Sequence, residues 1–196
     1  IWGSASDDVW AVGDKGTIIH WDGSEWRKIS ASITTPITDV WGVSQSEVYL
    51  IGYDNISIGT SAVFKFNGFA WEQISTIGIF NYGGETIWKT PAGKLFAGGK
   101  TLLEFTGNIY QEVYTDGRSR YIIEIGGSNT NNIFTAGTFG EITHFNGLSW
   151  QDIDNFEVPD GRYRVLYSVW CTENKVFIVG VDENRAIIIT GIKDNL

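Results

Sequence analysis

The chain has 196 residues, 42% of them hydrophobic and 19% charged, enough to bury a core and too apolar for a disordered segment. Its net charge of −9 excludes a general nucleic-acid binder, which needs a cationic surface, and disfavours anionic membrane surfaces. The longest apolar runs, such as Ala186 to Ile189, hold four residues, far short of a membrane span, so no membrane insertion is expected.

In chain order, one phrase returns five times. It reads VWAVG (9–13), VYLIG (48–52), LFAGG (95–99), IFTAG (133–137) and VFIVG (176–180). The closing glycines lie 39, 47, 38 and 43 residues apart. Eleven residues before the glycine stands Trp2, Trp41 or Trp88 in the first three copies, and Gly126 in the fourth. In the fifth, Trp170 stands ten residues before. After the glycine comes an alternating run, then Asp22-Gly23, Asn67-Gly68, Thr106-Gly107 or Asn146-Gly147, then Trp26, Trp71, Tyr110 or Trp150. Asp-Gly and Asn-Gly tolerate positive φ at both centres of a tight hairpin, so they are expected to join two antiparallel strands. Each copy then holds four strands, A to D; in the second these are Thr38–Val43, Glu47–Ile51, Ala62–Asn67 and Trp71–Ile74. The fifth copy carries Thr190-Gly191 as its turn signal but Asp194 where the aromatic should stand, so its strand D is expected to be incomplete.

Four short strands per ~40 residues, repeated without helical periodicity, predict an all-β fold: a β-propeller of four-stranded antiparallel blades. The expectation is a single domain over 1–196, with about five blades near 1–37, 38–84, 85–121, 122–165 and 166–196, the last incomplete. Six or seven blades, with more upstream, is the alternative. The chain contains no Met, which suggests a longer parent.

The stretch IWGSASDDVWAVGDKGTIIHWDGSEW (1–26), with the VWG, NG and W of later copies, resembles bacterial secreted propellers of the BNR type. These are related to photosystem II assembly-factor-like propellers and more distantly to sialidase Asp-box repeats. WDGSEW lacks the preceding Ser of an Asp box and is one residue short. The resemblance implies the fold, a bacterial origin and an extracellular, cell-surface or periplasmic location. Fold alone does not give function.

Strand direction puts the A–B and C–D turns on one face and the B–C and D–A connections on the other. The long connections (53–61, 75–85 and 154–161) all belong to the second set, so that face is expected to carry any binding loops. Neutral drift of surface loops would give the same pattern. Arg118 and Arg120 stand eight and six residues before Gly126, and Arg162 and Arg164 eight and six before Trp170. The matching positions of the third copy are Phe80 and Tyr82. A spacing of two aims each pair to one side, towards the channel mouth, beside Tyr121 and Tyr163. Guanidinium forks match carboxylate, sulfate or phosphate oxygens, so these residues are the candidate ligand-binding set. Surface ion pairing with Asp116, Asp154, Glu157 or Asp160 is the plainer reading.

No catalytic residues, metal site or cofactor are expected. His20 and His144 fall at matching strand C positions without clustered Cys or carboxylates. Asp7-Asp8 reads as an A–B turn, Cys171 as a small buried hydrophobe, and Trp26, Trp71 and Trp150 as packing between blades or as sugar platforms. The reading is a non-catalytic binding or scaffold propeller for a protein or an acidic glycan. Alternatives are a sialidase-like glycosidase, motivated by Arg with nearby Tyr and acids, and an architectural segment of a larger surface protein.

Overall fold

The computed structural model describes residues 1–55, 59–78, 84–114, 121–153 and 163–192. The sheets form where the phrases predict them. The first blade is β1 (Trp2–Ala5), β2 (Asp8–Gly13), β3 (Thr17–Trp21) and β4 (Trp26–Lys28). The second is β5 (Ile37–Ser44), β6 (Glu47–Asn55), β7 (Thr60–Phe66) and β8 (Trp71–Ile77). The third is β9 (Thr86–Lys89), β10 (Leu95–Gly98), β11 (Leu102–Thr106) and β12 (Ile109–Tyr114). The fourth is β13 (Ile122–Asn129), β14 (Asn132–Gly137), β15 (Ile142–Phe145) and β16 (Trp150–Asp152). The fifth has three described strands, β17 (Arg164–Cys171), β18 (Lys175–Asp182) and β19 (Arg185–Ile192). Every sheet is an antiparallel meander, and together they make a five-bladed β-propeller.

The core lies between blades, because each middle sheet is apolar on both faces. Alternation along a strand sends successive side chains to opposite neighbours. Trp10 and Ile18 meet Val40, Val48 and Leu50 between blades one and two. Ile51 and Val63 meet Ile87, Ala97 and Leu103 across the next junction. Trp88 and Phe96 then meet Ile125 and Ile133. Phe134, Ala136 and Ile142 meet Val169 and Ile178. Among the described strands, no comparable packing joins the fifth blade to the first. Trp170, the fifth copy of the inner tryptophan, is accordingly 62% exposed, whereas Trp88 is 2% exposed.

The closing glycine of the phrase has a steric reason. The chain enters each inner strand by crossing the end of the second strand. A Cβ on Gly52 would sit 2.4 Å from the Pro36 carbonyl oxygen, on Gly137 2.1 Å from that of Tyr121, and on Gly180 2.2 Å from that of Val165. Gly13 has open space around it, so the first copy keeps the residue without the contact.

Three sequence expectations are corrected. The Asp-Gly and Asn-Gly turns are four-residue loops, with positive φ only at the glycine, 90° at Gly23, 93° at Gly68 and 96° at Gly147. Asp22 Oδ1 accepts the amides of Ser24 (2.9 Å) and Glu25 (3.0 Å), and Asn67 and Asn146 repeat this two and three residues on. The Asp or Asn is there for its side-chain acceptor. Thr190-Gly191 is not a turn: β19 runs straight through it, and Gly191 pairs with Val176 as Phe145 pairs with Ile133. The insertion at 53–61 mostly lengthens the β6–β7 hairpin, whose pairing continues to Asn55 and Thr60. The ten-residue spacing of Trp170 also finds its cause. Blade two has an irregularity between Gly42 and Ser44 that the end of β17 lacks.

Candidate functional site

The inner strands β1, β5, β9, β13 and β17 surround a central cavity. The residue two before the inner tryptophan, or before Gly126, is Asp39, Thr86, Glu124 and Ser168 in blades two to five. Period-2 alternation puts these on the same strand face as the tryptophans. Trp2 and Trp41 have ring centroids 6.5 Å apart, and Trp41 and Trp88 6.1 Å. Asp39, Trp41, Trp88, Glu124, Ser168 and Trp170 all line a cavity of about 240 Å³.

The polar positions tie the inner strands together. Thr86 Oγ1 lies 3.1 Å from Asp39 Oδ2 and 3.2 Å from Glu124 Oε1. Asp39 also accepts the amides of Val40 (2.7 Å) and Ile87 (2.9 Å). Burial raises the Asp39 carboxyl above its ordinary range, and burial together with the Asp39 charge pushes Glu124 up to about 8. One hydroxyl proton serves two carboxyls, so the arrangement favours a protonated acid.

The sign of the resulting pH dependence follows. A carboxyl whose folded pKa is raised contributes stability that is complete below the unfolded value and lost as pH rises through the folded one. Glu47 is instead lowered, to about 2, by hydrogen bonds from Lys89 and Tyr49, and acts only in more acidic solution. The melting temperature should therefore fall between about pH 5 and pH 8. Glu124→Gln should flatten that slope in a pH series of thermal melts; an unchanged slope would contradict the assignment.

On the face of the long connections, Tyr121 Oη donates to Glu85 Oε1 at 3.0 Å, and Tyr53 Oη reaches the same oxygen at 3.5 Å. Burial and the Glu85 charge raise both phenols. Tyr53 lies in β6 just after Gly52, Glu85 just before β9 and Tyr121 just before β13. This cluster joins three blades at the mouth and places a carboxylate there. Tyr163 is 59% exposed, and its carbonyl accepts the Glu183 amide at 2.8 Å. Arg164 opens β17, and its Nη2 meets Asp182 Oδ2 at 2.7 Å. Tyr121 and Tyr163 are not equivalent: the Tyr121 carbonyl crosses Gly137, whereas the Val165 carbonyl makes that crossing in blade five. Tyr163 lies two residues further out. Tyr82, Arg118, Arg120 and Arg162 lie outside the described residues.

Other candidates are absorbed by packing. His20 stacks on Trp10 at 4.2 Å and holds Asp8 at 2.6 Å. His144 repeats this on Phe134 at 4.2 Å, with Asn132 at 2.9 Å. Asp8 is not a turn residue; it opens β2 and is 2% exposed. Trp71 lies 5.6 Å from Trp10, and Trp150 6.2 Å from Phe96, so both fill space between blades. The Cys171 thiol is pushed up to about 11 by burial, which leaves it a poor nucleophile. The sequence signal that could have found the channel set was the recurring polar residue two before the inner tryptophan. Glu85 and Tyr53 have no such periodic mark.

No protein-family model matches the chain. Among curated proteins it is similar to Tectonin-1 of Physarum polycephalum, 34% identical over 58 residues, 27% of either chain. Among solved structures, YCF48 from Cyanidioschyzon merolae superposes with a TM-score of 0.66 at 11% identity, covering 95% of this chain and 66% of that one. A protein of unknown function from Dyadobacter fermentans gives 0.58 at 10% identity, covering 91% and 64%. An exported-protein structure from Bacteroides fragilis gives 0.54 at 10%, covering 98% and 75%. The chain thus spans about a quarter of the curated relative and about two-thirds of the YCF48 structure. At these identities the structures speak to fold, and the fold is a β-propeller like that of YCF48, as the repeats implied. Among the described residues no helix is long and apolar enough to cross a membrane.

Proposed function

We propose that the chain is a non-catalytic binding propeller that holds an acidic group, on a protein or on a glycan, at the face of its long connections. One observation carries the reading. Tyr121 and the pair Tyr163–Arg164 stand at the entrances of two neighbouring inner strands. They lie on linkers whose sequence adds Arg118, Arg120 and Arg162. Asp182 fixes the direction of the Arg164 fork, so less side-chain entropy remains to be lost on binding. By sequence position, Tyr82 of the preceding linker belongs to the same candidate set. With a net charge of −9, attraction is confined to the cluster itself, within a Debye length of about 8 Å at physiological salt. Its repeats resemble secreted propellers, and on that ground we place the protein outside the cytoplasm: extracellular, cell-surface or periplasmic.

The test is capture of a hexaglutamate peptide and of sialyllactose on the immobilised chain. Retention of at least one is expected, weakened by salt and lowered about threefold to tenfold by Tyr163→Ala or Arg164→Ala. Retention of neither overturns the reading. Turnover of a fluorogenic sialoside would contradict the non-catalytic part.

A further inference from the structure

Two of the outer hairpin loops carry Asn-Gly, Asn67-Gly68 in blade two and Asn146-Gly147 in blade four, where blade one has Asp22-Gly23. In this dipeptide the glycine nitrogen can attack the side-chain amide carbon of the asparagine, because glycine has no side chain in the way. Both asparagines are exposed to water. At each, the side-chain oxygen is already held by two amides. Asn146 Oδ1 accepts from Leu148 at 2.9 Å and Ser149 at 3.0 Å, and Asn67 Oδ1 from Phe69 at 3.0 Å and Ala70 at 3.1 Å. Attack at Cγ turns that oxygen into an oxyanion, and paired N–H donors at this distance stabilise one. The attacking nitrogen is available too, since neither glycine amide has an acceptor among the described residues.

The loops differ at the leaving group. Asn67 Nδ2 donates to Glu72 Oε1 at 3.0 Å. Gln151 stands at the matching place in blade four, opposite His144 as Glu72 is opposite Lys65. Among the described residues nothing accepts from Asn146 Nδ2. The side chain closest to each glycine is uncharged in both loops, Ser46 beside Gly68 and Asn131 beside Gly147. The Glu72 contact holds the Asn67 amide in its resting orientation, and its negative charge opposes the anion that attack creates.

We propose that Asn146-Gly147 is a self-modification site of the folded chain, and that it reacts ahead of Asn67-Gly68 because Glu72 restrains the latter. The Gly147 nitrogen bonds to Asn146 Cγ, the Cγ–Nδ2 bond breaks, and the glycine amide proton leaves with the released ammonia. One water then opens the succinimide ring at either carbonyl, to aspartate or to isoaspartate. No oxidant, reductant or cofactor enters. The two products differ in consequence. Aspartate is what blade one already carries: Asp22 accepts the same two amides, at 2.9 and 3.0 Å, so this product keeps the loop and adds a negative charge. Isoaspartate routes the main chain through Cγ, lengthens the loop by one carbon and removes the acceptor from its place. Trp150 then loses the register that sets its ring 5.1 Å from Phe145 and 6.2 Å from Phe96 of the third blade. The site thus loosens a blade junction as the protein ages.

The experiment incubates the intact folded chain in heavy-oxygen water at neutral pH and follows each loop by peptide mass spectrometry, since ring opening places a heavy oxygen in the product. The peptides HFNGLSW (144–150) and KFNGFAW (65–71) are incubated beside it. Label is expected at Asn146 first, with Asn67 slower by about threefold to tenfold, the worth of one hydrogen bond in a rate. The two peptides, which lack Glu72, should react at equal rates. Glu72→Ala should bring Asn67 up to the rate of Asn146. Glu72 is exposed, and the Asn146 rate in the same sample reports any general unfolding. The Asn146→Asp chain should melt with the unmodified one, and the isoaspartate fraction below both. Equal rates at the two loops of the folded chain would overturn the proposal, as would the same rate ratio in the peptides. So would an Asn67 rate unchanged or lowered by Glu72→Ala, or no label at Asn146 by the time the peptides are consumed.

Discussion

Gly137→Ala should lower the free energy of unfolding by about 3 kcal/mol, while Gly13→Ala should change it by less than about 0.5 kcal/mol. Both residues end the same sequence phrase. At Gly137 a Cβ would meet the Tyr121 carbonyl oxygen at 2.1 Å, a backbone atom held by its bond from the Thr138 amide at 3.0 Å. Neither partner has a flexible end to yield. The blade must open where the linker enters β13, and the contacts of Ile122 with the third blade weaken with it. At Gly13 nothing stands within 4 Å. Urea unfolding followed by tryptophan fluorescence reads the difference, which corresponds to about 6 to 12 °C in melting temperature for a chain of this size. Equal effects at the two positions would mean that the phrase keeps its glycine for some reason other than the crossing carbonyl.

Trp88→Ala should cost about 4 kcal/mol, the range for deleting a buried indole. Trp88 is 2% exposed and packs with Phe96, Ile125 and Ile133, and its ring lies over the bare backbone of Gly127. A Cβ there would come within 2.5 Å of that ring, so on the Gly127 side the cavity left by truncation has no side chain to fill it. Trp170→Ala, at the matching position of the fifth blade, should cost less than about 1 kcal/mol, because that ring is 62% exposed among the described residues. The pair separates burial between blades from any intrinsic contribution of tryptophan to the inner strand. A large loss at Trp170 would show that the fifth face is covered in solution.

The blades were legible in the residues because two signals agreed: alternation within strands and return of one phrase at near-constant distance. The turns were legible in place but not in kind, since an Asp or Asn before glycine suits both a tight two-residue hairpin and the side-chain-capped loop found here. Thr190-Gly191 imitated that signal inside a continuous strand. Its glycine stands where the other blades carry an aromatic, so the continuity of β19 was hidden behind a misplaced turn. The channel polar set escaped because Asp39, Thr86, Glu124 and Ser168 differ in residue type; each alone reads as a surface residue, and only the common offset from the inner tryptophan, or from Gly126, unites them. At the mouth, Tyr121 was readable from its place before an inner strand. Its partner Glu85 was not, because hydrogen bonds between blades leave no pattern along a single chain.

The central claim is that partners are held on the face of the long connections, around Tyr121, Tyr163 and Arg164. Nuclear magnetic resonance of the labelled chain with hexaglutamate peptide or sialyllactose tests it most directly. Signals of Tyr121, Tyr163 and Arg164 should move together and saturate, while Gly23, Gly68 and Gly147 in the opposite turns stay still. Movement centred on those turns, or no movement on either face, would contradict it.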